Sequence, residues 1–240
     1  MGRCIYLRKG EVHTPPTVGI QASDLPIGQI VKLMEGGVET EFIVVNQGIP
    51  DASLYDASCG GCWVLRKDIF ETTQVWNSSS VNRDRYAESM INTWLNGDYF
   101  NSLGVVEQSV IKQVKIPYID RGGSRGVVLS GESGLSTKAF LLGSTEVYGP
   151  DATRSLIDGA KLDYFVEGSA GNSKRIAYRN GTVYSWWLRS VANYTTNRGA
   201  LVVNNGDVSF YDVVSAWGAR PALILPSTSI FDSTTYLLKG

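Results

Sequence analysis

The sequence predicts an α+β fold, because one set of strands, two helices and a second set of strands follow one another along the chain. Near the start, the alternating or apolar runs Ile30–Met34 and Glu41–Val45 flank Glu35-Gly36-Gly37, a pattern typical of a β-hairpin. The segment from Thr182 onward has the composition of strands and turns. We therefore expect two helices and a C-terminal antiparallel sheet.

Both predicted helices lie in the middle of the chain. The first is Asp84–Phe100, and its apolar residues recur at helical spacing to form one stripe: Tyr86, Met90, Ile91, Trp94 and Leu95. Asn96-Gly97 is expected to end it. The second begins at Ser102, a suitable N-cap, and extends to Gln113 with one apolar side formed by Val106, Val110 and Val114. Pro117 stops it.

The predicted domain organisation is an N-terminal extension, residues 1–24, followed by a single domain, residues 25–240. Prolines and turn-forming residues in the first segment favour extended structure over helix. The N-terminus has no apolar segment typical of a secretory signal, and no stretch approaches the length of a membrane span. We expect a protein made in the cytosol that reaches a virion or the cell exterior without such a signal, and no membrane insertion.

Charge and composition exclude several functions. The net charge of −1 argues against nucleic-acid binding, which needs clustered Lys and Arg. RGGSRG, at Arg121–Gly126, is accordingly interpreted as a solvated glycine-rich loop. The single histidine, His13, lies in the extension, so the domain lacks the usual general base. Phosphate-binding glycine motifs are absent from the sequence.

Two chemical alternatives remain open. A pair of carboxylates for glycoside hydrolysis could come from the scattered Glu35, Glu39, Glu41, Asp158, Asp163 and Glu167. The Cys59-Gly-Gly-Cys62 segment resembles half of a zinc or redox site, but its only complement is Cys4 with His13. We interpret it as a tight turn leading into a strand that starts at Trp63, and we expect no metal and no cofactor.

The C-terminal run Tyr184–Leu225 combines a rigid composition with soft segments. Its ends are rich in Trp, Arg, Pro and Leu, whereas Val191–Asn197 and Ser209–Ala216 contain small polar residues, Tyr, Phe and Val. Loops of this composition on a rigid scaffold are typical of binding surfaces. The frame is predicted to consist of Trp186, Trp187, Pro221 and two structural arginines, Arg189 and Arg220, that pair with buried carboxylates or carbonyls.

The WWLRS…GARPALIL frame resembles a domain family of gut bacteria and their phages that is marked by WWLRSP, a variable middle and GVRPALIL. Stretches upstream match in style, including LPIGQIVKLMEGGVETEFIVVNQG, WVLRKDIF and FLLGSTEV. The resemblance implies a C-type-lectin-like fold shared with formylglycine-generating enzymes. It also implies a role as a variable protein of a diversity-generating retroelement. The EPN, QPD and WND motifs of calcium-dependent lectins and the cysteine pair of the oxidases are missing, which argues against both activities.

Such retroelements mutate adenines in AAC or AAT codons, and this process cannot produce Met, Trp, Lys, Glu or Gln. The chain has 28 Lys, Glu, Gln and Met residues, and 27 of them precede Arg175. Strands disfavour Lys and Glu, which explains part of this gap. The two soft segments hold only residues that an Asn codon can reach, whereas Trp217 is unreachable and is assigned to the frame.

We therefore expect a non-enzymatic binding protein whose C-terminal loops recognise a protein or glycan on a target cell, as a phage tail protein or surface adhesin. The expected surface joins the Asn193–Asn197 loop, the Val203–Asp207 turn and the Ser209–Ser215 segment. Its ligand-binding residues would be Asn193, Tyr194, Thr195, Thr196, Asn197, Val203, Asn204, Asn205, Asp207, Ser209, Phe210, Tyr211, Asp212, Val214 and Ser215. Tyr194, Phe210 and Tyr211 would supply most of the binding energy. A homo-oligomer is compatible with the sequence. The alternatives are a glycan-processing hydrolase and a purely structural tail module.

Overall fold

The computed structural model describes residues 19–78, 84–150 and 155–239. Its strands are short and are, in chain order, β1 (Gly19–Gln21), β2 (Ile30–Glu35), β3 (Val38–Gln47), β4 (Cys62–Arg66), β5 (Gln74–Val75), β6 (Val114–Ile116), β7 (Tyr118–Ile119), β8 (Val128–Leu129), β9 (Leu135–Thr137), β10 (Ala139–Phe140), β11 (Tyr178–Arg179), β12 (Thr182–Val183), β13 (Trp186–Val191), β14 (Arg198–Val202), β15 (Val208–Asp212), β16 (Ala216–Trp217), β17 (Ala222–Leu225), β18 (Ile230–Asp232) and β19 (Leu238–Lys239).

The helices are short as well. The α-helices are α1 (Met90–Trp94), α2 (Phe100–Ser102), α3 (Val105–Val110), α4 (Ser144–Tyr148) and α5 (Asn172–Arg175). A π-helical turn, Leu95–Tyr99, joins α1 to α2. Single 3-10 turns are Ala22–Asp24, Ala57–Cys59, Tyr86–Glu88, Gly131–Ser133 and Ser169–Gly171. In the described ranges, no helix combines the length and the apolar composition that crossing a membrane requires.

The centre of the fold is a five-stranded antiparallel sheet with the strand order β10-β17-β4-β3-β2. Every residue of β4 and β17 is buried. Alternate residues of β4 belong to different core clusters: Val64 packs in one, and Trp63 and Leu65 pack in the other. Because successive side chains of a strand point to opposite faces, the sheet carries a core on each face. Apart from Arg66, the residues of β4 and β17 are therefore apolar.

A predicted mixed α+β architecture is confirmed by these helices and antiparallel strands. The N-terminal hairpin is confirmed as well. Strands β2 and β3 pair in register from Glu35↔Val38 to Ile30↔Ile43, and Gly36 and Gly37 have φ angles of 59° and 81°. A two-residue turn with positive φ at both positions favours Gly-Gly, because glycine adopts this conformation without steric cost.

The predicted C-terminal antiparallel sheet is present as β13–β15, but it does not include all the strands that follow Thr182. β13, β14 and β15 form their own three-stranded sheet, whereas β17 belongs to the central sheet and β18 pairs with β1 and β19. The two ends of the frame, WWLRS in β13 and ALIL in β17, thus lie in different sheets. Strand composition marks these segments as strands, but only tertiary pairing decides which strands become neighbours.

The first predicted helix has a different course. Tyr86 lies in a 3-10 turn, and Ser89 caps α1 by accepting a hydrogen bond from the Asn92 N–H, so the helical spacing counted from Tyr86 does not hold. As a result Met90 is 50% exposed instead of packed. Asn96 does not end the helix: the chain continues as a π-helical turn, and the Asn96 side chain forms hydrogen bonds with the Ala139 backbone.

The second helix is shorter than predicted. It covers Val105–Val110 with Gly104 at the N-cap, and Ser102 instead ends α2. Val114 lies in β6, which pairs with β9 through Val114↔Thr137. The helix therefore ends three residues before the predicted Gln113.

The predicted boundary at residue 24 falls inside the fold. Gly19–Gln21 pairs with Ile230–Asp232, and the next residue, Ala22, is fully buried. Residues 1–18, which include Cys4 and His13, lie outside the described residues.

Candidate ligand-binding surface

Arg189 anchors β13 in the interior. Its guanidinium donates to both carboxylate oxygens of Glu146 at 2.6 and 2.7 Å, and both side chains are fully buried. Further hydrogen bonds go to the carbonyls of Pro117 at 2.9 Å, Leu141 at 3.1 Å and Asp158 at 2.8 Å. Burial by itself lowers the pKa of Arg189, but the Glu146 carboxylate more than offsets this and raises it. The predicted pairing of Arg189 with a buried carboxylate is confirmed.

A polar network extends from this pair. Glu146 also accepts hydrogen bonds from the Tyr55 hydroxyl at 2.6 Å and from the Gly143 N–H at 2.8 Å. Next to it, the Ser190 hydroxyl donates to the buried Asp158 carboxylate at 2.6 Å, and burial raises the pKa of Asp158. The network ties β13 to α4 and to the segment at residue 158. Buried polar groups need such partners.

Arg220 holds the other end of the frame. Its guanidinium donates to the carbonyls of Arg66 at 3.0 Å and Lys67 at 2.9 Å, and it lies 4.7 Å from the Trp186 ring centre. Burial lowers the pKa of Arg220 to about 10. Trp186, Trp187 and Pro221 are all buried. The predicted structural role of these residues is confirmed.

The β14–β15 hairpin decides which loops meet. Arg198 pairs with Asp212 at one end, and Val202 pairs with Val208 at the other. The Asn193–Asn197 loop precedes the first end, whereas the Val203–Asp207 turn forms the second. Four residue steps at a strand rise of about 3.3 Å separate the two ends by roughly 13 Å. The single surface predicted from the sequence is therefore divided.

At the first end, two of the predicted segments come together. The Val213 N–H donates to the Asn197 carbonyl at 3.1 Å, and the Asn197 amide donates to the Asp212 carboxylate at 3.3 Å. The exposed fractions of Tyr194, Tyr211 and Val214 are 49%, 42% and 49%. We define the loop surface as Asn193–Asn197 together with Tyr211–Ser215. Within it, Thr196 is also exposed, whereas Asn193, Thr195, Asn197, Asp212 and Ser215 are half-buried and Val213 is buried.

The prediction that Phe210 is an exposed binding residue is wrong. Phe210 is 6% exposed and packs in the core cluster of the β13–β15 sheet. Neighbouring strand residues face opposite sides, so Ser209 and Tyr211 point away from that core. The Phe210 ring instead supports Tyr194, whose ring centre is 6.3 Å away.

The Val203–Asp207 turn is held in place separately. The Arg175 side chain donates to the Gly206 carbonyl at 2.7 Å, and the Ser185 hydroxyl donates to the Asn204 side chain at 2.9 Å. Asn204 and Asn205 are exposed, and Val203 and Asp207 are half-buried. This turn faces the α5 region and does not contribute to the loop surface.

Trp217 packs behind Tyr211. The two ring centres are 5.6 Å apart in an edge-to-face contact, and Trp217 also contacts Tyr184 at 5.9 Å. Trp217 is half-buried against the core and pairs with Gln74 in the β16–β5 ladder. Its predicted place in the frame agrees with this packing.

The candidate catalytic carboxylates are mostly committed to other contacts. Glu39 and Glu41 lie on a groove of about 310 Å³ that also contains Asp68, Glu71 and Arg66. Three of these carboxylates form ion pairs: Glu39 with Lys32, Glu41 with Lys67 and Glu71 with Arg66. Arg66 also pairs with the buried Glu35, and Asp158 belongs to the network beside Arg189. Among the candidate carboxylates, Glu35, Glu39, Glu41 and Asp158 are thus each held by a partner. These contacts add no support for the hydrolase alternative.

The Cys59–Cys62 segment forms a turn into β4, as predicted. The strand begins at Cys62, one residue before the predicted Trp63. Both cysteines are free and buried, and burial raises the pKa of each thiol to about 12. Gly61 has a φ of 155°, and a Cβ there would collide with the Leu225 carbonyl. Among the described residues, no three or more His, Cys, Asp and Glu side chains are grouped to hold a metal ion.

Comparisons with known proteins give one finding. A family model described as a domain of unknown function (DUF6273) matches residues 60–227, which is well over half of the chain. Neither the curated proteins nor the solved structures gave a match. The matched range includes β4, the β13–β15 sheet with the loop surface, and β17. The chain therefore belongs to the DUF6273 family.

Proposed function

We propose that this protein is a non-enzymatic recognition protein whose loop surface binds a protein or glycan on a target cell. The observation that carries the proposal is the exposure of Tyr194, on the Asn193–Asn197 loop, and of Tyr211, near the end of β15, on a frame that is buried. Tyrosine offers a large contact area with few rotatable bonds, and small polar neighbours add adaptable hydrogen bonds. Such rings are frequent hot spots of recognition.

The frame supports this role because it makes the loops rigid at their bases. The Arg189–Glu146 pair fixes β13 immediately before the Asn193–Asn197 loop, and the Val213–Asn197 hydrogen bond ties that loop to the second segment. Preorganised loops lose less conformational entropy on binding than free ones do. The exposed residues of the loop surface can change without disturbing the fold, whereas the buried Val213 cannot.

The proposed fold is C-type-lectin-like, and the proposed family role is that of a diversified phage tail protein or surface adhesin. Support comes from the mixed α+β architecture, from the pairing of the N-terminal β1 with the C-terminal β18, and from an antiparallel β13–β15 sheet that presents loops at one end. The proposed site of action is a virion tail or the bacterial cell exterior.

Composition favours diversification by a retroelement. Positions between Arg175 and Leu238 contain no Lys, Glu, Gln or Met, including exposed ones that would tolerate them. The absence of Lys, Glu, Gln and Met also extends to exposed residues beyond the frame, such as Thr228 and Thr234, so composition by itself does not identify the diversified codons. The nucleotide sequence is therefore the decisive test. The burial pattern predicts which codons in that sequence should vary and which should stay constant.

The test compares the DNA of this gene and its flanks among related strains. We expect a reverse-transcriptase gene, an adenine-rich near-copy of the 3′ end, and substitutions concentrated in codons 193–197, 211, 212, 214 and 215. Codons for the buried Phe210 and Val213 should stay constant. Substitutions that affect Phe210 and Val213 as often as Tyr211, or flanks without the two elements, would contradict diversification of this surface.

A structural tail module would behave differently in solution. Its loops would fill space between subunits, so Tyr194 and Tyr211 would become inaccessible in the assembled protein. Iodination of surface tyrosines followed by mass spectrometry measures this access in the native oligomer. Labelling of both tyrosines in that oligomer supports a recognition surface, and protection of both supports the structural module.

A further inference from the structure

The RGGSRG segment, Arg121–Gly126, packs against the Asn193–Asn197 part of the loop surface, with Ser124 and Arg125 exposed to solvent. It is the tip of the β7–β8 hairpin, closed by the Asp120 carboxylate, which accepts a hydrogen bond from the Val127 N–H at 2.8 Å. The Gly123 N–H donates to the Ala192 carbonyl at 2.8 Å, immediately before the Asn193–Asn197 loop. Two segments about seventy residues apart in sequence are thus joined through their backbones.

The glycines make this contact possible. A Cβ at Gly122 would lie 2.7 Å from the Thr195 carbonyl oxygen, and one at Gly123 would lie 3.1 Å from the Thr196 methyl carbon. Gly123 also has a φ of 77°, which favours glycine. The Gly-Gly pair therefore lets the arginine-bearing loop approach the tyrosine-bearing loop closely.

A cleft of about 480 Å³ lies between the two loops. It is lined by Arg121, Gly122, Gly123, Ser124, Arg125, Tyr194, Thr195 and Thr196. Its charged lining residues, within the described part of the chain, are the two arginines. Arg121 donates to Asp120 at 2.9 Å, whereas no described residue forms a hydrogen bond or ion pair with the exposed Arg125 guanidinium.

We propose that this cleft binds a carboxylate-bearing sugar, with Arg125 as the residue that takes the carboxylate. A guanidinium presents two parallel N–H donors that match the two oxygens of a carboxylate. The hydroxyls of Ser124, Thr196 and Tyr194 can both donate to and accept from sugar hydroxyls. This inference rests on the proposed function, since it assigns a ligand class to the same loop surface.

The size of the cleft favours a sugar over an acidic peptide side chain. Its volume falls in the range of small-molecule pockets, and a single Asp or Glu carboxylate would leave most of it empty. The lining is also rich in hydroxyl groups, which suits the many hydroxyls of a saccharide. A ligand with a carboxylate for the arginine and hydroxyls for the rest of the cleft is an acidic sugar.

The experiment is an NMR titration of the full-length, ¹⁵N-labelled protein. The probes are glucuronate and glucose, which differ at C6 by a carboxylate in place of a hydroxymethyl group, and N-acetylglutamate amide, which has a carboxylate but no sugar hydroxyls. We expect glucuronate to shift the backbone signals of residues 121–126 and 194–196. Glucose and the amide should bind more weakly by about tenfold or more, because each lacks one half of the recognised chemistry.

Variants test the role of Arg125. Arg125→Gln should weaken glucuronate binding about tenfold or more. Arg125→Lys should give a smaller loss, because lysine keeps the charge but lacks the planar fork. Ser124→Trp, at an exposed position, should fill the cleft and abolish binding. Arg179→Gln is the control, since Arg179 lies outside the cleft and the change in net charge is the same as in Arg125→Gln.

Four results would overturn the assignment: no shift with glucuronate, equal binding of glucose, equal binding of the amide, or equal effects of Arg125→Gln and Arg179→Gln. An unchanged spectrum outside the cleft establishes that each variant is folded. Failure here would remove the acidic-sugar ligand only. The proposed recognition function is judged independently, by the codon comparison and by tyrosine labelling.

Discussion

The exposed ring of Tyr194 rests edge-on against the buried ring of Phe210, with the ring centres 6.3 Å apart. Edge-to-face aromatic pairs of this kind add stability beyond the area that they bury. Phe210 thus belongs to the core and holds a binding-surface residue in position. Its sequence neighbour Tyr211 points the other way and packs against Trp217.

Phe210 and Tyr211 should differ sharply when each is replaced by alanine. Phe210→Ala should lower the free energy of unfolding by about 3 kcal/mol or more, because it leaves a cavity in the core. Tyr211→Ala should lower it by less than about 1 kcal/mol, since the ring is 42% exposed. Urea unfolding of the two variants measures both values. Equal losses would contradict the assigned faces of β15.

The Arg189–Glu146 pair should be far more important for stability than an exposed ion pair. Arg189→Met leaves a buried carboxylate without its partner and should cost about 3–5 kcal/mol. The matched control is Lys67→Met, which breaks the pair between two side chains that are 43% and 45% exposed and should cost less than about 1 kcal/mol. Urea unfolding of both variants gives the comparison. A small loss for Arg189→Met would mean that the network is not needed to hold β13.

Gly206 should tolerate alanine less well than Gly181 does. Both have positive φ angles, 85° and 76°, so either substitution costs about 1 kcal/mol in backbone strain. A Cβ at Gly206 would also collide with the Asn172 carbonyl, whereas one at Gly181 meets open space. We expect a distinctly lower melting temperature for Gly206→Ala than for Gly181→Ala. Identical values would contradict the packing of the Val203–Asp207 turn on α5.

The buried thiols should make the protein less stable in alkali. Burial raises the pKa of Cys59 and of Cys62 from 9.0 to about 12. Between these values the unfolded chain loses thiol protons that the folded chain keeps, so the free energy of unfolding falls as the pH rises. Unfolding measured from pH 8 to pH 11 should show a shallower decline in a Cys59→Ala/Cys62→Ala variant.

Thiol labelling provides an independent check. In a Cys4→Ser background, native protein at pH 8 should react slowly with a disulfide reagent, and two thiols should react rapidly after unfolding. Rapid labelling of the native protein would indicate an accessible, reactive Cys-Gly-Gly-Cys segment. Equal pH dependence in the two proteins would separately contradict the raised pKa values. Buried tyrosines contribute equally to both curves, so the difference isolates the thiols.

Several features could be predicted from the sequence because their causes are local or general. Gly36-Gly37 specifies the hairpin turn, since only glycine readily adopts positive φ at both positions. Arg189 and Arg220 lie within apolar runs, and a buried arginine must find carboxylates or carbonyls. The α+β class could also be predicted, because composition and residue spacing indicate each strand or helix separately and their order along the chain indicates the class.

Other features depend on how distant segments pack. Composition placed Phe210 and Tyr211 together on the binding surface, but the packing of β15 against the core turns one inward and the other outward. The pairing of β14 with β15 places the Val203–Asp207 turn at the opposite end of the hairpin from the Asn193–Asn197 loop. Similarly, Val114 joined a strand because β9 was available to pair with it, although its spacing suited a helix.

The sequence by itself determined the element types, the structural arginines and tryptophans, and the soft composition of the loops around Tyr194 and Tyr211. Only the tertiary structure decided which of those loops share a surface, and it added the Arg121–Gly126 loop to them. The physical reason is that turn formation and burial tendencies reside in short segments, whereas strand register and contacts between distant loops are set by the packing of the whole chain.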